Sequence, residues 1–291
     1  MILNPRMKRC GALAAVGLAG LAVAGCGGSS SSPSIGTVPA ARVFSLADFK
    51  PAHPKAGAQQ TLSFMIQQPS GQPLTAYRRG AGPHTGVHLI IVRDDLSTII
   101  HRHPPVRADG RFSQPLAFPE PGRYRVVVDA YPKVTSEQPQ RNFQLFKTIQ
   151  VGMGDPKAKL PAPASAVTVD GYRFKLKGAS HLKALTGESV KVEVQKPGGG
   201  PASFIPYYGA LAHAIFFRRG TLDYFHTHVC GPNTPGCTSI LGAVRVRGSS
   251  TAPGRLNVGV LVPLPGTWRL FLQAQVAKNK VLTAPFTLKV A

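Results

Sequence analysis

The chain has 291 residues and carries 34 Lys and Arg against 12 Asp and Glu, a formal charge of +22. So few carboxylates argue against a paired-carboxylate hydrolase, and no Gly-x-Ser-x-Gly or Gly-rich phosphate loop suggests nucleophilic or nucleotide chemistry. The cations are scattered singly or in pairs such as Arg78-Arg79 and Arg218-Arg219, without a nucleic-acid-binding motif, so the surface suits anionic envelope components rather than nucleic acid.

The first 26 residues read as an address. Arg6, Lys8 and Arg9 form a basic start, and Gly11–Gly25 is an apolar run too short and too weakly flanked to span a membrane. It ends in Val23-Ala24-Gly25-Cys26, which resembles the lipobox of bacterial lipoproteins. That resemblance implies cleavage before Cys26, lipid attachment to it, and anchorage on the outer face of a bacterial membrane. Cys10 would leave with the signal. Residues 27–40, rich in Gly and Ser, cannot bury apolar surface and read as a flexible tether.

Beyond the tether the sequence reads as strands. Leu62–Ile66, Tyr124–Val128, Val190–Val194 and Phe286–Val290 alternate or are rich in β-branched and aromatic residues, and the 31 Gly and 27 Pro fall between such runs. The expectation is an all-β protein with two tandem Ig-like or cupredoxin-like β-sandwiches, at 41–151 and 167–291. A Pro/Ala-rich linker at 152–166 separates them.

The two halves are related. His88–His103 and His213–His228 both read His, twelve residues, His, one residue, His, and hold six of the nine histidines. Thr61–Pro73 parallels Ser189–Pro201 upstream, and Gly110–Val128 parallels Gly254–Leu272 downstream. Compared with the first copy, the second is three residues shorter before its first histidine and nineteen longer after its last.

Each histidine stretch reads as an antiparallel hairpin. In the first copy Val87–Arg93 and Thr98–His103 flank the turn; in the second Arg219-Gly220-Thr221 supplies it. A two-residue loop would pair His88 with His101, and a four-residue loop would pair it with His103. Side chains alternate with period two, so in either register His88, His101 and His103 share one sheet face, as do His213, His226 and His228. Three imidazoles on one such patch can converge on an ion; Zn(II) or Cu(II) suits them, and Cu(I), which prefers sulfur, does not. His84 is a possible extra ligand in the first copy only, and His53 and His181 receive no role.

His-x-His on one strand with a third histidine from the next resembles the metal sites of β-sheet carbonic anhydrases and cupins. On a sandwich it resembles that of copper/zinc superoxide dismutase. The further catalytic residues of those families have no match here, so the likeness implies ligand geometry and no activity. The tandem as a whole looks like exported bacterial lipoproteins with paired sandwich domains.

Cys230 and Cys237 enclose a short Pro/Gly loop and are the only cysteines left after Cys26, which in an oxidising compartment predicts a disulfide. A metal site joining Cys230 to His226 and His228 is the alternative. The sequence thus points to a non-catalytic, lipid-anchored envelope protein that binds or delivers a transition metal at one three-histidine site per domain. The competing reading is an adhesion or structural module with structural histidines, which meets anionic envelope polymers or a partner protein.

Overall fold

Along Gln59–Gln67, Leu62, Phe64 and Ile66 are buried while Ser63 and Met65 are only half covered, the pattern of a strand with one face on a core. The structure, a computed structural model, describes residues 43–79, 85–136, 141–229, 231–232 and 252–291. Its first seven strands are β1 (Ser45–Lys50), β2 (Gln59–Gln67), β3 (Gly86–Arg93), β4 (Ile99–Arg102), β5 (Arg111–Ala117), β6 (Gly122–Tyr131) and β7 (Phe143–Val151). They make two antiparallel sheets, β1-β2-β5 and β4-β3-β6-β7. The next eight are β8 (Ala166–Val169), β9 (Tyr172–Lys177), β10 (Glu188–Gln195), β11 (Ala212–Arg218), β12 (Tyr224–Val229), β13 (Arg255–Val260), β14 (Gly266–Ala277) and β15 (Lys280–Val290). They too make two sheets, β13-β10-β9-β8 and β12-β11-β14-β15. Among the described residues there is no α-helix, only a single 3-10 turn at Ala179–His181. The fold is all-β, two tandem sandwiches, as the alternation predicts.

The internal repeat reaches beyond strand order into side-chain bonds. Tyr124 Oη donates to the Glu120 carbonyl at 2.8 Å, and Trp268 Nε1 donates to the Leu264 carbonyl at 2.9 Å, at matching places in the two copies. Arg93 Nη2 donates to the Pro121 carbonyl at 2.8 Å, and Arg218 Nε to the Pro265 carbonyl at 2.8 Å. Gly122 and Gly266 open β6 and β14 with φ of 137° and 128°. A Cβ at Gly122 would lie 2.7 Å from Arg93 Nη2, so glycine here serves both the backbone and the arginine.

Each sandwich has its own core. Leu62, Phe64, Leu89, Ile91, Phe112 and Val126 lie in the first, and Phe174, Val192, Phe216, Val258, Trp268 and Leu270 in the second. A third cluster contains residues from both repeats: Ile90, Val92, Leu96 and Val127 with Ile215, Phe217, Leu222 and Phe271. The reason lies in the strands. Every residue of β3 after Gly86 is buried, because Val87, Leu89 and Ile91 face the first core while His88, Ile90 and Val92 face the other repeat. In β11 Ala212, Ala214 and Phe216 face inward, and His213, Ile215 and Phe217 face the first repeat. The result is four layers in which the two hairpin-bearing sheets are covered on both faces.

The segment read as a spacer takes part in this packing. Leu160 packs against the third cluster, the Ala158 amide donates to Asp95 at 2.8 Å, and Lys157 pairs with Asp94. β8 begins at Ala166, the last residue of the expected linker.

Candidate metal centre

Hairpin register places the histidines. In the first copy Ile90 pairs with His101 and the Arg93 amide donates to the Thr98 carbonyl, so the loop is the four-residue Asp94–Ser97 and position 103 falls opposite His88. In the second copy His213 pairs directly with His228 and Ile215 with His226. All six histidines therefore project from the faces through which the repeats meet, at one end of the third apolar cluster. His88, His101 and His213 are at most 1% exposed and His228 is 7% exposed; His103 and His226 are half-buried.

The rings form one group. Centroids of His88 and His226 are 5.1 Å apart, His88 and His228 5.5 Å, and His101 and His213 4.9 Å, all across the two repeats. Three sets bring one nitrogen per residue within 4.8 Å of each other: His88-His101-His103, His88-His226-His228 and His101-His213-His226. The triad expected in the first copy comes together, and the one expected in the second does not. His213, His226 and His228 do not close as a set of their own, and two of the three sets draw on both repeats. The physical cause is that each histidine face points out of its own sandwich and toward the other.

Two nitrogen pairs already stand near the spacing that an ion imposes. His103 Nε2 is 3.1 Å from His101 Nε2, and His213 Nδ1 is 3.2 Å from His226 Nε2. Tetrahedral ligands at zinc–nitrogen distances sit about 3.3 Å apart. Any two of the three sets share a histidine, so the six rings make one connected cluster rather than independent sites.

Outer groups fix which nitrogen faces inward. His101 Nδ1 donates to Gln273 Oε1 at 3.0 Å, and Gln273 Nε2 in turn donates to Thr283 Oγ1 at 3.0 Å. That leaves His101 Nε2 as the acceptor turned to the cluster. His213 Nε2 donates to the Tyr207 carbonyl at 2.8 Å, leaving Nδ1 inward. His88 Nδ1 lies 3.4 Å from Asp129 Oδ2, which also accepts from Tyr131 Oη at 2.9 Å. The acceptors behind His101 and His213 hold their tautomers and raise their basicity as ligands. Neither ring nitrogen of His88 makes a hydrogen bond, although both are buried, and the same holds for Asp129 Oδ1. Buried polar atoms left this way are unfavourable by roughly 1–3 kcal/mol each, and a cation held by the imidazole nitrogen offsets part of that cost.

Burial keeps the imidazoles neutral. It holds His101 and His226 well below the usual 6.5, and neighbouring histidines press further in the same direction. His103 is lowered for the same two reasons. Burial brings His213 to about 3 against the opposing pull of the Tyr207 carbonyl. Neutral imidazole is the form that coordinates.

Tyr208 covers the outer side, stacked on His103 with centroids 3.7 Å apart and planes 9° from parallel. Asp129, Gln273, Tyr207 and Tyr208 escape a reading based on the histidine spacing alone. A signal for two of them was present, since Asp129 and Gln273 occupy the same place in the repeat and pair with His88 and His213 across the strands. His53 and His181 are exposed. Cys26, His84, Cys230 and Cys237 lie outside the described residues, so the anchor, the extra ligand, the disulfide and the Cys-containing site have no structural counterpart here.

Among solved structures, the Escherichia coli adhesin FdeC matches at 13% identity and a TM-score of 0.24, covering 87% of this chain and 65% of that one. The Yersinia pseudotuberculosis adhesin InvE matches at 15% and 0.25, covering 84% and 58%. Domains 4 and 5 of the S-layer protein SbsC match at 13% and 0.24, covering 85% and 97%. The chain thus spans less than two thirds of the length of either adhesin. No curated protein matches it. A family model described as Domain of unknown function (DUF8832) matches residues 46–143 and 167–291, most of the chain, and this protein belongs to that family.

Proposed function

We propose that this is an exported, lipid-anchored, non-catalytic envelope protein that binds a transition-metal ion, Zn(II) or Cu(II), in the histidine cluster between its two sandwiches. One observation carries the reading. Six histidines converge from two repeats, Gln273 and the Tyr207 carbonyl accept from two of them so that a lone pair is turned inward, and Asp129 stands beside a third. The anchor rests on the Cys26 signal and the tether that follows it. The strongly basic balance, 34 Lys and Arg against 12 Asp and Glu, suits anionic envelope polymers.

The decisive measurement is calorimetric titration of Zn(II) and Cu(II) into untagged protein produced without its signal, at pH 7.5, with elemental analysis of the same sample. Close to one ion per chain is expected. A flat titration ends the reading.

A second reading is favoured by other bonds in the same region. His101 and His213 each satisfy one nitrogen within the protein, and the apolar cluster joins the sandwiches without any ion. On that reading the histidines are structural and the protein is a surface or adhesion module. His226→Ala would then lower the melting temperature equally with and without metal.

A further inference from the structure

The hairpins that carry the histidines have their turns at the opposite end, five residues or about 17 Å along β3 from His88. There the two turns and the inter-repeat segment enclose a cleft of about 470 Å³. We propose that this cleft is a binding site for a phosphate ester, separate from the histidine cluster and independent of any metal held there.

The lining is cationic beyond what the fold needs. Arg123, Arg125, Lys157, Lys159 and Arg219 face Asp94 and Asp95, five positive side chains against two negative ones. Both carboxylates are already engaged. Asp95 pairs with the fully buried Arg93 and accepts from Ser97 and the Ala158 amide; backbone and side-chain hydrogen bonds together with Arg93 hold it below the usual carboxylate range despite burial. Asp94 pairs with Arg123 at 3.4 Å and with Lys157. Arg125, Lys159 and Arg219 are left with no ion pair among the described residues.

Arg125 is the informative member. It stands on the face of β6 that meets the other repeat, in the row that continues to Val127 and Asp129. Its Nε is buried and makes no hydrogen bond, and its guanidinium has only the Phe146 ring, 5.9 Å away. A half-buried guanidinium with no ion pair is unfavourable, and an oxyanion in the cleft beside it offsets that cost.

The geometry selects the class of anion. The three unpaired cations come from β6, the inter-repeat segment and the second turn, so they approach from different sides. A carboxylate offers one charge and two oxygens in a plane. A phosphate ester offers up to two charges and three oxygens in a tetrahedral array, which matches donors arriving from three directions. The volume lies within the roughly 300–1,000 Å³ of small-molecule sites, so a headgroup or a small phosphorylated molecule is enclosed rather than laid on a flat surface. The monoester headgroup of phosphatidic acid and a soluble phosphate monoester share this chemistry.

The test uses the metal-free chain lacking its signal, with glycerol 3-phosphate as probe, titrated by calorimetry in a phosphate-free buffer. One saturable site is expected, weakening as salt rises. Lys159→Gln and Arg219→Gln remove exposed cations without touching either core, and each should weaken binding on the order of ten-fold. Arg125→Gln should weaken it at least as much; if that variant does not fold, the two exposed variants carry the test. Lys175→Gln, an exposed cation on an outer sheet, should change nothing. Vesicles containing phosphatidic acid separate the sources: if the lipid headgroup occupies the cleft, free glycerol 3-phosphate displaces the protein from them. No saturable binding of glycerol 3-phosphate overturns the proposal. So does an equal loss in Lys175→Gln and Arg219→Gln, which would mean a diffuse basic surface.

Discussion

Acid should unfold the metal-free protein well above the pH at which ordinary carboxylates titrate, and the magnitude follows from two buried imidazoles. His101 and His213 are essentially inaccessible to water, and burial holds both below the usual 6.5, His213 at about 3. A group with a depressed folded pKa binds fewer protons folded than unfolded, so stability is complete above about pH 6.5 and falls as the unfolded chain takes up protons that the folded chain refuses. For His213 that window runs from 6.5 down to about 3. Each such histidine contributes a slope of about 1.4 kcal/mol per pH unit, so at pH 5 each has removed about 2 kcal/mol and the pair about 4. His103 and His226 are shifted in the same direction and add to this. Against a typical total of roughly 5–15 kcal/mol, that is a large fraction. Urea unfolding of chelator-treated protein at pH 7.5 and pH 5.0 measures it as a displacement of the midpoint. Identical midpoints would refute both the burial of these rings and the neutral charge state on which the metal reading depends. Bound ion should oppose unfolding at pH 7.5, and its release should steepen the acid transition.

Further predictions concern single side chains. Phe271→Ala empties a large position in the cluster between the sandwiches and should destabilise by about 3–5 kcal/mol in urea unfolding, with both sandwiches reporting the change. Gly122→Ala forces a side chain into a φ of 137° and against Arg93, and should lower the melting temperature more than the matching Gly266→Ala, whose Cβ would meet Arg218 only at 3.2 Å. Asp129→Asn keeps the shape beside His88 but removes the charge, and should weaken metal binding about 10–100-fold while leaving the far-ultraviolet circular dichroism unchanged. Cys26→Ser should release the protein from membrane fractions; unchanged acyl labelling would contradict the anchor. Non-reducing peptide mapping should find Cys230 joined to Cys237, and two alkylatable thiols would point instead to a thiol ligand.

The strands and their pairing were legible because alternation in runs such as Leu62–Ile66 has a single physical meaning on a half-buried sheet. The histidine spacing was equally legible: period-two geometry puts His88, His101 and His103 on one face whichever loop is chosen, and the structure selects the four-residue loop. What the spacing could not reveal is where that face points. A hairpin covered on both faces and a hairpin with one face in solvent differ in the even positions of β3, and His88-x-Ile90-x-Val92 was the clue. Apolar residues in the same row as a histidine require a cover, and the nearest one of matching character is the other repeat. The outer-sphere residues were missed for a narrower reason. The apolar part of the downstream parallel ends at Val128 and Leu272, and the next pair is Asp129 and Gln273. A carboxylate inside Val-Val-Val-Asp-Ala-Tyr needs a partner, and the repeat supplies a polar residue at the same place in the other copy.

The row His88-Ile90-Val92 meets the row His213-Ile215-Phe217, so equivalent surfaces of two related folds close on each other. Such self-complementary contact is the arrangement of a two-fold dimer, here with both subunits in a single polypeptide. Covalent connection keeps each half in the presence of the other at an effective concentration that free subunits at low abundance would not reach. It also releases the two halves from identity: Asp129 could stand behind one histidine and Gln273 behind another, an asymmetry closed to a true homodimer.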